Sequence, residues 1–226
     1  MKCLSLLATA ALAVAATPVL AQDGDAATVS TFTGPRAEIF GGWDRPGSRT
    51  TVISAAPEEG GEPTVIREKS HKDGGVAGGL IGYDMPIGDR FIVGAFGSYA
   101  LPTAKTCIAL GEAGGGCVST DHELEAGARA GAKIGSRAMV YAKGAYVRGR
   151  FKSRFGDGVD YVTDHDNRNG WRAGAGVEFA LNKHAYVKAE YDYTRFKSFD
   201  TVSFDGDDAR VRMDRNQVLA GFGLRF

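Results

Sequence analysis

The sequence predicts an all-β chain, an eight-stranded antiparallel up-and-down β-barrel that crosses a membrane. Three observations carry this expectation. Segment 216–226 alternates, with Val218, Ala220, Phe222, Leu224 and Phe226 on one face and Gln217, Gly221, Gly223 and Arg225 on the other. Connections between strand-like segments alternate between very short and long, as the two ends of a transmembrane barrel require. No helical period appears, and glycine, at 32 of 226 residues, is about twice its usual share of roughly 7%. It recurs inside strand-like segments, where it disfavours helix and suits a tightly curved sheet.

In chain order, the first element is a leader. Lys2 supplies a positive start, 4–16 is apolar and alanine-rich, and Val19-Leu20-Ala21 offers a small-x-small cleavage site before Gln22. A membrane span needs about 20 apolar residues, so this stretch reads as a secretory signal rather than an anchor. The expected organisation is a signal peptide at 1–21, a polar linker at 22–34 and a barrel domain at 35–226. Loss of Lys2 leaves the mature chain with one more acid than base. A near-neutral chain gives no hint of nucleic acid or an anionic surface as partner.

The eight strands fall at 36–45, 75–87, 91–101, 121–134, 138–152, 170–181, 185–196 and 210–226. In the first, Ala37, Ile39 and Trp43 oppose Glu38 and Asp44; in the second, Ile81, Tyr83 and Met85 oppose Asp84. The third is apolar on both faces, which leaves its orientation open. The fourth sets Leu124, Ala126, Ala128, Ala130, Ala132 and Ile134 against Glu123, Glu125, Arg129 and Lys133. In the fifth, Val140, Ala142, Gly144 and Tyr146 oppose Tyr141 and Lys143. The sixth alternates from Trp171 to Leu181 against Arg172, Gly174, Gly176 and Glu178, and the seventh sets Val187, Ala189, Tyr191 and Tyr193 against Lys188, Glu190, Asp192 and Thr194.

Gly88-Asp89-Arg90, Gly135-Ser136-Arg137 and Asn182-Lys183-His184 are hairpin turns. The other connections, 46–74, 102–120, 153–169 and 197–209, are longer, polar and acid-bearing. Short turns belong on the periplasmic side and long loops outside. Most segments meet the roughly 9–11 residues that a tilted strand needs to cross a bilayer.

Alternation alone does not say which face is inside, because a soluble ligand-binding barrel turns its apolar face inward. Charge bears on the choice. The polar faces carry Glu38, Asp44, Asp84, Glu123, Glu125, Glu178, Glu190 and Asp192, matched by Arg36, Arg129, Lys133, Lys143, Arg172, Lys188, Arg215 and Arg225. A solvated face has no need of balance, whereas a lumen does, since an unpaired buried charge is costly. Trp43, Trp171, Tyr146 and Tyr193 near one rim and Phe179, Phe222 and Phe226 near the other would form the two interfacial aromatic belts.

Cys3 leaves with the leader, so Cys107 and Cys117 remain, and in an oxidising compartment they are expected to form a local disulfide. Their spacing is too wide for a Cys-x-x-Cys redox or metal pair. Two acidic clusters, Asp157, Asp160, Asp164 and Asp166, and Asp205, Asp207 and Asp208, lack calcium-loop spacing. A cation bridge from them to lipopolysaccharide phosphates is the sharper reading, and simple solubility the plainer one. For catalysis, the arrangement of His122 with Ser119 and Glu123 is the one to consider, against a solvated residue at a loop–strand junction. Gly78-Gly79-Leu80-Ile81-Gly82 lies within a strand with no helix after it, so it is no phosphate loop, and no cofactor is expected.

The runs 170–181, 187–196 and 217–226 resemble the closing three strands of small eight-stranded outer-membrane barrels, the OmpA-like, opacity-like or "porin family" proteins of Gram-negative bacteria. The resemblance covers most of the chain from Pro35 onward. It implies an outer-membrane location, contact with lipid and lipopolysaccharide, and a C-terminal signal in Phe222, Leu224 and Phe226 that the barrel-assembly machinery reads. The peptidoglycan-binding domain of larger relatives is not seen, so no cell-wall tether carries over. Eight strands enclose an interior just wide enough to be filled by side chains. The expectation is therefore a structural or surface-interaction protein with a plugged lumen, no catalysis, and recognition carried by the long loops. A narrow pore, a lipid-A-modifying enzyme and a soluble periplasmic ligand carrier are the alternatives.

Overall fold

The computed structural model describes residues 32–54, 64–109, 115–156, 161–202 and 208–226. The leader, most of the linker, and Asp157, Asp160, Asp205 and Asp207 lie outside the described residues. Eleven strands follow one another: β1 (Gly34–Ser54), β2 (Thr64–His71), β3 (Gly74–Ile87), β4 (Phe91–Pro102), β5 (Lys105–Ala109), β6 (Gly115–Ile134), β7 (Ala138–Gly156), β8 (Tyr161–Ala180), β9 (Ala185–Phe196), β10 (Phe199–Val202) and β11 (Asp208–Arg225). β1, β3, β4, β6, β7, β8, β9 and β11 pair antiparallel in order, and β11 returns to β1 to close an eight-stranded barrel. The closing seam runs from Arg36 opposite Arg225 to Ile53 opposite Asp208. At its inner end the Phe226 amide donates to the Pro35 carbonyl at 3.0 Å.

Two of the three tight turns depend on glycine. Gly88 and Gly135 adopt φ of +62° and +69° with open space around them, the left-handed geometry that a hairpin reversal needs and other residues resist. All three turns lie at the end where the chain enters and leaves the barrel.

The four long connections depart from expectation. They are largely strand: β2 pairs with the outer half of β1, β5 with β6, β10 with β11, and β7 with β8 as far as Gly156 opposite Tyr161. With β1 and β11, and β6 and β7, also paired to their outer ends, two four-stranded extensions rise above the wall, β10-β11-β1-β2 and β5-β6-β7-β8. Their sequences read as loops because both faces meet water, so no apolar alternation marks them, although Thr50, Thr51, Val52, Val65 and Ile66 favour extended backbone. Asp164 and Asp166 accordingly belong to β8 and not to a loop.

The faces follow the expected alternation. Ile39 and Ile81 are 70% and 71% exposed on the outer surface, while Glu38, Asp84, Glu178 and Gln217 are buried within. β4, whose orientation was open, turns Ile92, Phe96, Ser98 and Ala100 inward and Phe91, Tyr99 and Leu101 outward. Phe32, within the stretch expected to be linker, is buried among Ile92, Met139, Tyr141 and Ala180 at the inner end of the lumen.

Cys107 and Cys117 are directly opposed on β5 and β6 and joined by a disulfide. The bond staples a ribbon beyond the eight-stranded wall. Closing a loop this short is worth about 3 kcal/mol by chain entropy, all of it local to that ribbon. The Cys107→Ser, Cys117→Ser variant is expected to keep the heat-dependent gel mobility of a detergent-resistant barrel while its β5–β6 ribbon is clipped faster by protease. Loss of the mobility shift would mean that the staple supports the barrel itself.

Candidate functional site

The distinguishing feature of the interior is charge, arranged in three tiers. In the inner tier Arg129 grips Asp84 through both Nε and Nη2, at 3.0 and 2.5 Å, and reaches Glu178 at 3.1 Å. Arg225 pairs with Glu178 at 2.5 Å and Asp84 at 3.4 Å, and Arg36 joins Asp84 at 3.2 Å to Glu38 at 3.0 Å. In the middle tier Lys188 bridges Glu38 and Glu190 at 2.6 and 3.3 Å. Lys143 sits among Glu190, Asp192 and Glu125 at 2.9, 2.8 and 3.2 Å. The hydroxyls of Tyr186 and Tyr141 donate to Glu38 and Glu190 at 2.7 and 2.6 Å. In the outer tier Arg172 holds Glu123 and Glu125 at 2.9 and 3.0 Å, and Arg215 pairs with Glu123 and, at 3.3 Å, with Asp44. The tiers share partners, so one chain of ion pairs runs the length of the lumen.

Aromatic and small residues make this packing possible. Arg225 lies over Tyr186 at 4.5 Å and over Phe32 at 5.5 Å, Arg129 over Tyr141 at 5.0 Å, and Lys143 over Phe96 at 5.4 Å. These rings replace part of the hydration the cations have lost. A methyl group on Gly94 would lie 2.0 Å from Asp84 Oδ1, so the carboxylate occupies the space that the missing side chain leaves.

Of the residues expected in the lumen network, Lys133 does not join it. It is on the lumen side by register but half-buried near the inner rim, and it takes part in none of the ion pairs among the described residues. Parity assigns a face and not a depth; two residues from the Gly135 turn, the side chain is close enough to the mouth to reach water. Tyr141, Tyr186, Thr120, Thr194 and Ser98 also belong to the network as hydrogen-bond partners. Their period-two placement among the charges was the available signal.

Above the outer tier a cavity of about 250 Å³ opens, with Thr120, Phe151, Phe196, His71 and Arg215 among its lining residues. Just beneath it, Asp44 Oδ2, Gln217 Oε1 and Asp192 Oδ1 accept no hydrogen bond from the protein.

The catalytic arrangement considered for His122 does not assemble. His122 and Glu123 are consecutive in β6 and so face opposite sides of the sheet, which leaves Glu123 inward and bound to Arg172 and Arg215. His122 instead stacks on outward-facing Tyr99 at 5.5 Å and meets Asp121 at 3.3 Å. In the proposed acidic site, Asp166 pairs with Arg168 and Asp164 accepts from the His165 amide at 2.8 Å. Among the described residues no group of three or more His, Cys, Asp or Glu side chains is placed to hold a metal ion.

Outside, the aromatic rims are in place. Tyr146 and Trp171 are cross-strand partners, and Trp171 meets Tyr193 edge-on at 5.8 Å. Phe179, Phe222 and Phe226 lie exposed toward the inner rim. Above Tyr146, β7 continues with Arg148, Arg150, Lys152 and Arg154 at every second position, a pattern legible in the sequence once the strand is known to extend that far.

A closed eight-stranded wall with an apolar exterior and a charged interior is the geometry of a membrane barrel, and the comparison with known families agrees. The model of the outer membrane protein beta-barrel domain matches residues 5–226. The chain belongs to that family. This outer-membrane barrel is 29% identical, over 161 residues, to the 31 kDa outer-membrane immunogenic protein of Brucella melitensis, a match covering 68% of this chain and 67% of the relative. Among solved structures it is similar to Ail, the attachment invasion locus protein of Yersinia pestis, at 16% identity and a TM-score of 0.43, covering 86% of this chain and 100% of that one. It is also similar to the outer membrane protease OmpT from Escherichia coli, at 11% identity and a TM-score of 0.48, covering 87% and 100%.

Arg129→Met leaves Asp84 and Glu178 short of a partner and is expected to cost about 3–5 kcal/mol in denaturant unfolding from lipid vesicles. Adding Asp84→Asn and Glu178→Gln should recover part of that loss. If the triple variant is no more stable than the single, the cost comes from packing and not from stranded charge.

Proposed function

We propose that this outer-membrane barrel is closed along its lumen by its own ion pairs and acts at the cell surface in a structural or adhesive role, with the strand ribbons above the wall carrying recognition. The observation that carries this reading is the continuous chain of contacts from Arg225 through Arg129, Arg36, Lys188, Lys143 and Arg172 to Arg215. An eight-stranded lumen filled by such side chains has no room for an aqueous channel. The ribbons stand where a partner outside the cell would meet the protein first, and the "immunogenic" in the Brucella relative's name fits exposure of that kind. On this reading the leader is removed after Ala21, and the assembly machinery recognises Phe222, Leu224 and Phe226.

A second reading, a narrow ion path, is favoured by the free oxygens of Asp44, Gln217 and Asp192 under the outer cavity, which suit a hydrated half-channel. Planar-bilayer recording separates the two. The native protein is expected to be silent, and Arg172→Ala with Lys143→Ala to leak. Steady native conductance would overturn the plugged lumen in favour of the pore. In parallel, trimming the ribbon tips should abolish attachment of whole bacteria to surfaces that the native strain binds. Attachment that survives the trimming would sink ribbon-borne recognition.

A further inference from the structure

With Lys133 left at the mouth, the charges enclosed by the wall do not balance. Among the described residues the interior buries eight acids against seven bases. The inner tier is even, with Arg36, Arg129 and Arg225 against Glu38, Asp84 and Glu178. Above it four bases, Lys143, Arg172, Lys188 and Arg215, face five acids, so the missing charge falls in the outer half of the lumen.

The strand register narrows the place further. Asp44 lies directly opposite Gln217, and Gln217 opposite Asp192, so three inward side chains form one row across β1, β11 and β9. Both ends of the row meet glycine, Gly74 beyond Asp44 and Gly174 beyond Asp192, so no side chain of the next stave donates into it. Within the row the one donor is the Gln217 amide, which reaches Asp44 Oδ1 at 3.2 Å. Asp192 is served by Lys143 at 2.8 Å and, more distantly, by Arg172 at 4.0 Å. Asp44 has less. Among the described residues its one ion pair joins Oδ1 to Arg215 Nε at 3.3 Å, and the other nitrogens of Arg215 serve Glu123 and Thr120. Asp44 Oδ2 and Gln217 Oε1 accept no hydrogen bond from the protein, and neither does Asp192 Oδ1. None of the three side chains is exposed enough to be served by open water, Asp44 and Asp192 at 0% and Gln217 at 1%.

A buried carboxylate oxygen without a donor is costly, and so is an enclosed charge without a counter-charge. Ligands that are all oxygen suit hard cations, whose water shell carboxylate and amide oxygens replace. The excess is a single charge, and Arg215, Arg172 and Lys143 stand near enough to repel a dication, so the fit is to a monovalent ion. The outer cavity gives it an entrance. Its lining includes Pro46 and Arg215, which form the next inward row above Asp44 and Gln217.

We propose that this row binds one alkali-metal cation, coordinated by Asp44 Oδ2 and Gln217 Oε1 with the Asp192 carboxylate adding its field, and that the ion completes the charge balance of the lumen. The proposal rests on the plugged-lumen reading, since the ion is held as part of the plug and is not passed.

The test follows urea unfolding of the full-length protein refolded into vesicles of zwitterionic lipid, read by the heat-dependent gel shift. Sodium, potassium and N-methyl-D-glucamine chlorides are compared at one ionic strength and one mildly alkaline pH. Sodium or potassium is expected to raise the folded-to-unfolded ratio saturably over the bulky organic cation, by about tenfold once the ion stands at about ten times its dissociation constant. Asp44→Asn removes the eighth acid and should be equally stable in all three salts. Glu68→Gln, which loses an acid on β2 outside the wall, should keep the native response. Equal stability of the native protein in the three salts overturns the proposal, because a bound proton then makes up the charge, and a response that persists in Asp44→Asn overturns the site. A second arm needs no substitution: thallium-205 resonance of the native barrel should show a bound thallous ion that potassium displaces, and the absence of a bound signal overturns the proposal. The two readings fail differently. Steady native conductance in planar bilayers fails the plugged lumen and the held ion with it, whereas equal stability in a silent barrel fails the ion alone.

Discussion

Everything inside this molecule follows from the cost of a charge that has lost water. The wall is sealed by backbone hydrogen bonds all the way round, and lipid covers its outside, so a carboxylate pointing inward can be stabilised only by what else points inward. The chain meets that constraint with forked arginines that each serve two or three carboxylates, as Arg129 serves Asp84 and Glu178 and Arg172 serves Glu123 and Glu125. Sharing matters, since an isolated buried pair roughly breaks even, whereas a network satisfies the remaining lone pairs and protons together. The rest of the interior is arranged around these forks. Rings sit against the cations, tyrosine hydroxyls supply further donors to the carboxylates, and Gly94 leaves the volume that Asp84 occupies.

The exterior obeys the opposite rule, and its tiers record the depth of the membrane. Aliphatic and alanine positions form the mid-height band, aromatic residues mark both rims, and above the outer rim the same strands carry bases in place of apolar side chains. A single alternating strand such as β7 therefore reads differently along its length: charge in and apolar out while it crosses lipid, then apolar in and charge out once it has left it. Phe151, facing Phe196 edge-on at 5.4 Å, lies inward between outward Arg150 and Lys152 and shows the reversal directly.

This reversal explains what the sequence disclosed and what it concealed. Where one face met lipid and the other met charge, as in 170–181, 185–196 and 216–226, the period of two assigned every side chain to its face. Segment 91–101 was ambiguous because β4 is apolar on both faces: Ile92 and Ala100 pack inward, against Phe32 and Met139 and against Val76 and Leu219, while Phe91, Tyr99 and Leu101 face outward. The ribbons were invisible as strands because neither face is apolar in water. Lys133 was placed on the correct face and credited with a depth that parity does not encode. His122 was set beside Glu123 by proximity in the chain, but consecutive residues of a strand face opposite sides of the sheet.

The seam between β1 and β11 carries a consequence for how the molecule comes to exist. Neighbouring staves such as β3 and β4 are joined by a turn of a few residues and can pair as soon as both are present, but Arg36 meets Arg225 only across almost the whole chain. That contact is the most non-local in the fold, so its loop-closure entropy is paid last and its formation is slow. Until it forms, β1 and β11 are two open sheet edges in a half-built cylinder whose interior charges still face water. Sealing the seam encloses the ion pairs and removes both edges in one event, so the barrel has no stable partly closed form to rest in.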